Sequence, residues 1–558
     1  MKKIIISLTI LLNVNFLFAN TVIVSTIVSM QLAINSASAG DTIVLVNGTY
    51  INNTINIGTS NITIQAQTSG GVFLNDTNAI TITGNYITLS GFQFTSGSII
   101  GSAITVNGNN NTLTQLNFNG YNASHMIIIY GQNNLLSYNN FQNKPAPNMV
   151  NHGGTGDMVQ IIPNSTIVGY NTIRYCSFKH MPGFGGDFGN ECIRIGDGAY
   201  STYVSRTVVE YCYFEDTGNG DSEAISVKSR ENCLRFNTML NNPNAMFSFR
   251  NGDNNVAYSN FFIKSGGIRC KQSNNIYCYN NYFEQAGTNQ DSSLPGSETA
   301  PVKLEYVGAG YGNNFNFIHN TFFKCSDTKI ASGLTNCNWA NNIFYSDSST
   351  IFSGTNSGQS YAGNIYQGSL GFTISSGMNN VNPQLILNSK GYYGLSSSSP
   401  AIGTSTSSYP SIISITGLNN DANILFDIEG QARPATITLK DVGCDQYTNG
   451  PINNYPLDSC QVGPSYLCIT PTAINSIQKS IDNFTIYPNP SNNQITIEIS
   501  KLTKESTLII YNINAQELIR KDINNSRSLM DISDLPNGIY FVKLILGQTI
   551  EVRKILKE

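Results

Sequence analysis

A repeat constrains this chain more than any other feature of its sequence. Short apolar-alternating runs end in Asn-x-Phe-like units at Gly91-Phe92-Gln93-Phe94, Leu116-Asn117-Phe118, Asn139-Asn140-Phe141, Cys176-Ser177-Phe178 and Cys212-Tyr213-Phe214. The series continues through Asn237-Thr238-Met239, Asn260-Phe261-Phe262, Asn281-Tyr282-Phe283, Thr321-Phe322-Phe323 and Asn342-Ile343-Phe344. Most steps are about 21–25 residues, a unit too small to bury its own core, so each must stack on the next. Short strands with Asn- and Gly-rich corners, without the Leu/Asn signature of leucine-rich repeats, predict an all-β chain built on a right-handed parallel β-helix. Asn in the corners is expected to stack as amide ladders that satisfy backbone and side-chain groups together.

An open end of such a stack exposes core and strand edges, so it needs a cap. Helical apolar spacing from Val28 to Ala37, stopped by Ala39-Gly40-Asp41, predicts an N-terminal capping helix. The long steps from Phe141 to Phe178 and from Phe178 to Phe214 carry insertions such as Asn151-His152-Gly153-Gly154 and Gly183-Phe184-Gly185-Gly186-Asp187. Insertions in a solenoid become loops on one side, often the binding side. After about Ile351 the period fades into turn-rich segments expected to close the stack.

Charged residues make up 11% of the 558 residues and the formal net charge is −4, so no global basic field exists for nucleic acid or an acidic membrane. An anionic partner must be met by local cations or a metal. Met1 to Ala19 reads as a secretory signal, with Lys2 and Lys3 before an apolar Ile4–Leu12 stretch and Leu17-Phe18-Ala19 at the cleavage site. No other stretch is long and apolar enough to span a bilayer. The 11 cysteines contain no CxxC pair, which argues against zinc; most lie in apolar runs as small core residues. Cys460 and Cys468 are the expected disulfide. The expected layout is a signal peptide (1–19), a β-helix (20–448), a linker (449–483) and a small C-terminal β-sandwich (484–558), acting as a monomer.

The C-terminal segment opens with Tyr487-Pro488-Asn489-Pro490, continues through Ile510-Tyr511-Asn512 and Gly538-Ile539-Tyr540-Phe541, and ends in Arg553-Lys554-Ile555-Leu556-Lys557. On those features it resembles the C-terminal sorting domain of the type IX secretion system. The resemblance implies partnership with that machinery, passage through the periplasm, and a secreted or cell-surface location.

The chemistry concentrates in Gly220-Asp221-Ser222-Glu223-Ala224-Ile225-Ser226-Val227-Lys228-Ser229. Asp221 and Glu223 leave the same face of a strand, whereas Lys228 falls out of phase with Glu223 and needs a corner between them to join it. Asn190-Glu191-Cys192-Ile193-Arg194-Ile195-Gly196 lies one coil earlier, and Phe249-Arg250-Asn251-Gly252-Asp253 and Gly266-Gly267-Ile268-Arg269 lie later. Together these segments resemble polysaccharide lyase family 6, the alginate lyase and chondroitinase B group.

That resemblance implies calcium held by Asp221, Glu223 and Asn190, with Glu191 the alternative to Asn190 in register, Lys228 as base and Arg250 as its partner. The chain departs from the family pattern in having Asp221 in place of Glu and Asn251 in place of His. Arg194, Arg269, His152 and His180 are candidate contacts for an anionic polysaccharide, with Lys303 and Glu305 able to line further subsites. The implied reaction is β-elimination on a uronate polymer, alginate favoured over chondroitin or dermatan sulfate, because calcium and cations suit an acidic sugar. A β-helix glycoside hydrolase would use paired carboxylates, but its Gly-His-Gly and Arg-Ile-Lys signatures are missing. A non-catalytic surface polysaccharide-binding protein would use the same scaffold.

Overall fold

Each repeat folds as three short strands, because its β-branched and aromatic residues alternate for only three or four positions before Asn, Gly or a left-handed residue turns the chain. Successive coils pair in parallel and build three long sheets of 14, 12 and 14 strands. This computed structural model describes residues 19–145, 156–181, 191–217, 223–290, 299–468, 484–500, 506–512, 517–546 and 549–558. The signal sequence expected up to Ala19 lies outside the described residues but for Ala19 itself. The chain divides into two units, Met1–Ile469 and Thr470–Glu558.

The first unit is the parallel β-helix expected from the repeat. Helix α1 (Ile27–Ser36) covers its first coil, with Thr26 and Ser29 forming a capping box and Ile27, Met30 and Ile34 buried. Inside the third sheet the repeat phenylalanines stack coil on coil, for example Phe141 on Phe178 at 5.0 Å and Phe178 on Phe214 at 4.9 Å. Met239 interrupts that column, and Phe247 fills the gap edge-on against Phe214 and Phe262. The expected amide ladder is continuous from Asn237 through Asn260, Asn281, Asn320 and Asn342 to Asn364. Each rung accepts from the backbone N–H of the preceding rung and donates to a carbonyl one coil back in the corner, as Asn260 does to Leu234 at 2.9 Å. Cys176 and Cys212 occupy the same corner, their thiols donating to Leu136 and Ile173 carbonyls. The eight cysteines of the strand-rich part are buried as expected, Cys444 is buried as well, and Cys460–Cys468 is a disulfide.

One expectation differs. The stretch after the last coil does not simply close the stack; it runs back along it. Gly443 donates to Asn341, Cys444 to Thr321, Leu457 to Thr238, Gly463 to Tyr175 and Ser465 to Gln115, in that order towards the N-terminal coils. Residues 449–468, read from sequence as the start of a linker, are therefore held against the β-helix; 469–483 lie outside the described residues. The reason is apolar cover: Ile415 and Leu418 pack on outward-facing Val256, Tyr258 and Tyr279, and Tyr392 and Ile428 pack on Phe261 and Tyr282.

The second unit has an antiparallel three-stranded sheet (Phe484–Tyr487, Gln494–Ile499, Arg527–Asp531) and an antiparallel four-stranded one. Ile495, Ile497, Leu508, Ile510, Val542 and Leu544 form a single buried core between them, a small β-sandwich.

Candidate functional site

The site lies on the outer face of the 12-stranded sheet. In chain order its strands here are β1 (Asn122–Ile129), β2 (Val159–Ile161), β3 (Ile193–Gly196), β4 (Glu223–Lys228), β5 (Met246–Arg250), β6 (Ile268–Lys271), β7 (Val302–Glu305) and β8 (Thr328–Ile330). Inward positions are apolar; Ile127, Val159, Ile193, Ile225, Phe247 and Ile268 form one register column. Outward positions hold two polar rows. One runs Gln160, Arg194, Ser226, Ser248, Arg269, Lys303, Lys329, and the other Gly196, Lys228, Arg250, Lys271, Glu305.

Lys228 and Arg250 are thus neighbours on adjacent strands and face the same way. The phase problem between Glu223 and Lys228 is solved within the strand, not at a corner. The pairing of β4 with β5 shifts register between Glu223 and Ile225, and the Ser226 hydroxyl donates to Glu223 Oε2 at 2.5 Å. Glu223 then meets Arg269 at 3.2 Å and Arg250 at 3.7 Å. Lys228 Nζ lies 3.2 Å from Glu191 Oε1. Arg269 is held from the other side by Glu305 at 2.5 Å, so this expected substrate contact bridges two carboxylates.

Three residues join the site that the sequence reading does not include: Asp157, His125 and Lys144. Asp157, Glu191 and Glu223 have side chains wholly shielded from solvent, each two positions before its register-column residue. Arg194 pairs with Asp157 at 2.7 Å, and His125 Nδ1 lies 3.6 Å from the same carboxylate. Lys144, itself buried, donates to the carbonyls of Ser124, Gly156 and Asp157. A signal for Asp157 was present: Asp157-Met158-Val159-Gln160-Ile161, Glu191-Cys192-Ile193-Arg194-Ile195 and Glu223-Ala224-Ile225-Ser226-Val227 share one acid-x-apolar-polar-apolar pattern.

Burial shapes the charges. It pushes the Glu191 carboxyl up to about 7, reinforced by Asp157 and opposed by Lys228 and Arg194. Burial lowers the Lys144 ammonium to about 7 against the pull of Asp157, and holds the His125 imidazole down at about 3 with help from Lys144 and Arg194. Glu191 Oε2 is buried without a hydrogen-bond donor. With Glu223 one strand away, the described donors are oxygens of the hardness calcium takes. Asn190, Asp221 and His152 lie outside the described residues. His180 follows a strand of the third sheet, where it pairs with Asp216 at 3.2 Å, and no described contact links it to Lys228.

A second set of acids, Asp427, Glu429 and Asp445, is also close-packed. Each closes local structure: Asp427 accepts from Gln431 and Gln446 backbone N–H groups, Glu429 from the Tyr392 hydroxyl, and Asp445 from the Leu395 N–H. Among the described residues, no hydrogen bond or ion pair links this set to Glu191, Glu223, Lys228 or Arg250.

Residues 24–295 match the family model for chondroitinase B, and residues 485–558 that for the secretion system C-terminal sorting domain. No curated protein is similar to the chain in sequence. Among solved structures, the family 6 alginate lyase AlyGC is similar at 23% identity and a TM-score of 0.60, over 71% of this chain and 59% of its own. A mannuronic-acid-specific family 6 lyase from the human gut microbiota is similar at 21% and 0.52, over 62% of this chain and 86% of its own. A family 6 polysaccharide lyase from Pseudopedobacter saltans is similar at 20% and 0.53, over 79% of this chain and 99% of its own. The chain spans less than two thirds of the length of AlyGC, and at these identities the likeness to solved structures concerns the fold. The family model for chondroitinase B thus matches across the coils that carry Glu191, Glu223, Lys228 and Arg250, so this part of the β-helix is similar to that family, and the C-terminal unit is similar to the secretion-system sorting domain.

Proposed function

We propose that this protein is an exported polysaccharide lyase that cleaves a uronate-containing polymer by β-elimination, with alginate favoured over chondroitin or dermatan sulfate. The observation that carries the reading is the side-by-side placement of Lys228 and Arg250 above buried Glu191 and Glu223, within the part of the chain matched by the family model. The similar family 6 structures described as alginate lyases favour alginate.

In this reading Lys228 Nζ removes the proton at C5 of the uronate, the C5–H electron pair becomes the C4=C5 double bond, and the C4–O4 bond breaks. Arg250 stabilises the charge that develops on the sugar carboxylate and orients the ring; the leaving O4 takes its proton from Arg250 or water. Glu191 and Glu223, with Asn190 and Asp221, would hold calcium. Bound calcium would neutralise the carboxylate beside C5, which otherwise discourages carbanion formation there. Glu191 holds Lys228 over the groove, and Glu223 anchors Arg250 and Arg269. The sorting domain would direct the protein, after passage through the periplasm, to the medium or the cell surface.

The test is ultraviolet absorbance of the mature protein with alginate, and separately with dermatan sulfate, in calcium and in chelator. The expected result is a calcium-dependent rise on one polymer, lost at least 10³-fold in Lys228→Ala and Arg250→Ala (roughly the scale of a removed acid–base or charge-stabilising group). New reducing ends without absorbance would identify a hydrolase, and neither signal would leave a binding protein.

A further inference from the structure

The outward rows of the 12-stranded sheet do not stop at the catalytic pair. Beyond Arg250 they continue with Lys271 on β6, Lys303 on β7 and Lys329 on β8, with Glu305 4.0 Å from Lys303 and Asp327 3.6 Å from Lys329, so the face stays rich in lysine towards the C-terminal coils. The chain leaving β7 at Glu305 forms the glycine-rich loop 306–312, carrying Tyr306 and Tyr311, which are 39% and 42% exposed. That loop is fixed against the turn after β6, since Asn274 Nδ2 donates to Gly310 and Gly312 N–H donates to Ser273. The Tyr306 ring lies flat on Gly333, where a Cβ would fall 2.7 Å from it, and beside Gly312. Both glycines adopt positive φ, 93° and 77°, so larger residues are disfavoured there on backbone grounds as well. One face of the ring is thus packed on backbone and held rigid, while the side chain stays well exposed.

We infer that Tyr306, with Lys271 and Lys303, forms an extended subsite for the acidic polysaccharide, which lies along the β-helix axis. The inference deepens the lyase reading and rests on it for the polymer's identity. Strands are about 4.8 Å apart, so β4 to β7 spans about 14 Å, a length of about three pyranose rings. Lysine ammonium groups at successive strands meet carboxylates or sulfates at that spacing, and a rigid tyrosine face offers a sugar ring an apolar platform with a polar tip.

The experiment is electrophoresis of Lys228→Ala protein, which leaves polymer intact, through gels containing alginate or dermatan sulfate. Retardation in one polymer is expected, with affinity falling about five- to tenfold in added Tyr306→Ala or in Lys271→Ala/Lys303→Ala, and staying within about twofold in Tyr306→Phe. Far-UV circular dichroism and melting of each variant check that the fold is kept. Retardation equal in all variants, or absent in both polymers, overturns the subsite. Retardation lost in the variants, with no absorbance rise from the unmutated protein, keeps the subsite and sinks the lyase reading alone.

Discussion

Glu191 is fully shielded from solvent, lies 3.2 Å from Lys228, and has an Oε2 atom with no hydrogen-bond donor. Its carboxyl is raised to about 7, chiefly by burial, so in the absence of metal the folded protein holds this proton at pH values where the unfolded chain has released it. The contribution of Glu191 to stability is therefore present below the ordinary carboxylate range and declines as pH rises towards about 7. Urea unfolding in chelator at pH 5 and pH 7 should show that decline, and Glu191→Gln should flatten it. A calcium titration should restore stability at pH 7 in the native protein and less in the variant. Arg269 tests the same layer differently. It bridges Glu223 and Glu305, so Arg269→Met leaves two carboxylates partly unpaired and should cost about 3–5 kcal/mol in urea unfolding.

Among the elements, the corner ladder and the phenylalanine column carry the stack. Asn260→Ala removes the acceptor for two donors of Asn237 and a donor to Leu234, and should lower stability by about 2–3 kcal/mol by denaturant midpoint. Phe178→Ala removes a ring packed between Phe141 and Phe214 and should cost about 3–5 kcal/mol. These features were legible from the sequence because each is a local residue type recurring at the coil period. The cysteines at Cys176 and Cys212 could be placed in the core, but not their donation to carbonyls in the Asn corner, since that depends on which coil lies beneath. The phase of Glu223 relative to Lys228 was not legible either. A strict two-residue alternation puts them on opposite faces, and only the register shift against β5 reconciles them.

On the scale of the whole molecule, the two units have separate cores, so residues 20–468 alone should keep the β-helix and, on the lyase reading, its activity. Deleting residues 485–558 should abolish appearance outside the cell while leaving that fold intact, checked by immunoblot of medium and cell fractions. Sequence alone determined the coil stack, its capping helix, the amide ladder, the Cys460–Cys468 pair and the sorting domain, because each is written in short-range periodicity or a contiguous motif. Only the tertiary structure decided that Asp157, Glu191 and Glu223 form one buried acidic set, that Lys144 lies beneath it, and that residues 449–468 return along the coils. Insertions make the coil length uneven, so which residues share a face is set by inter-strand hydrogen bonds and by apolar surface that needs cover, neither of which spacing along the chain encodes.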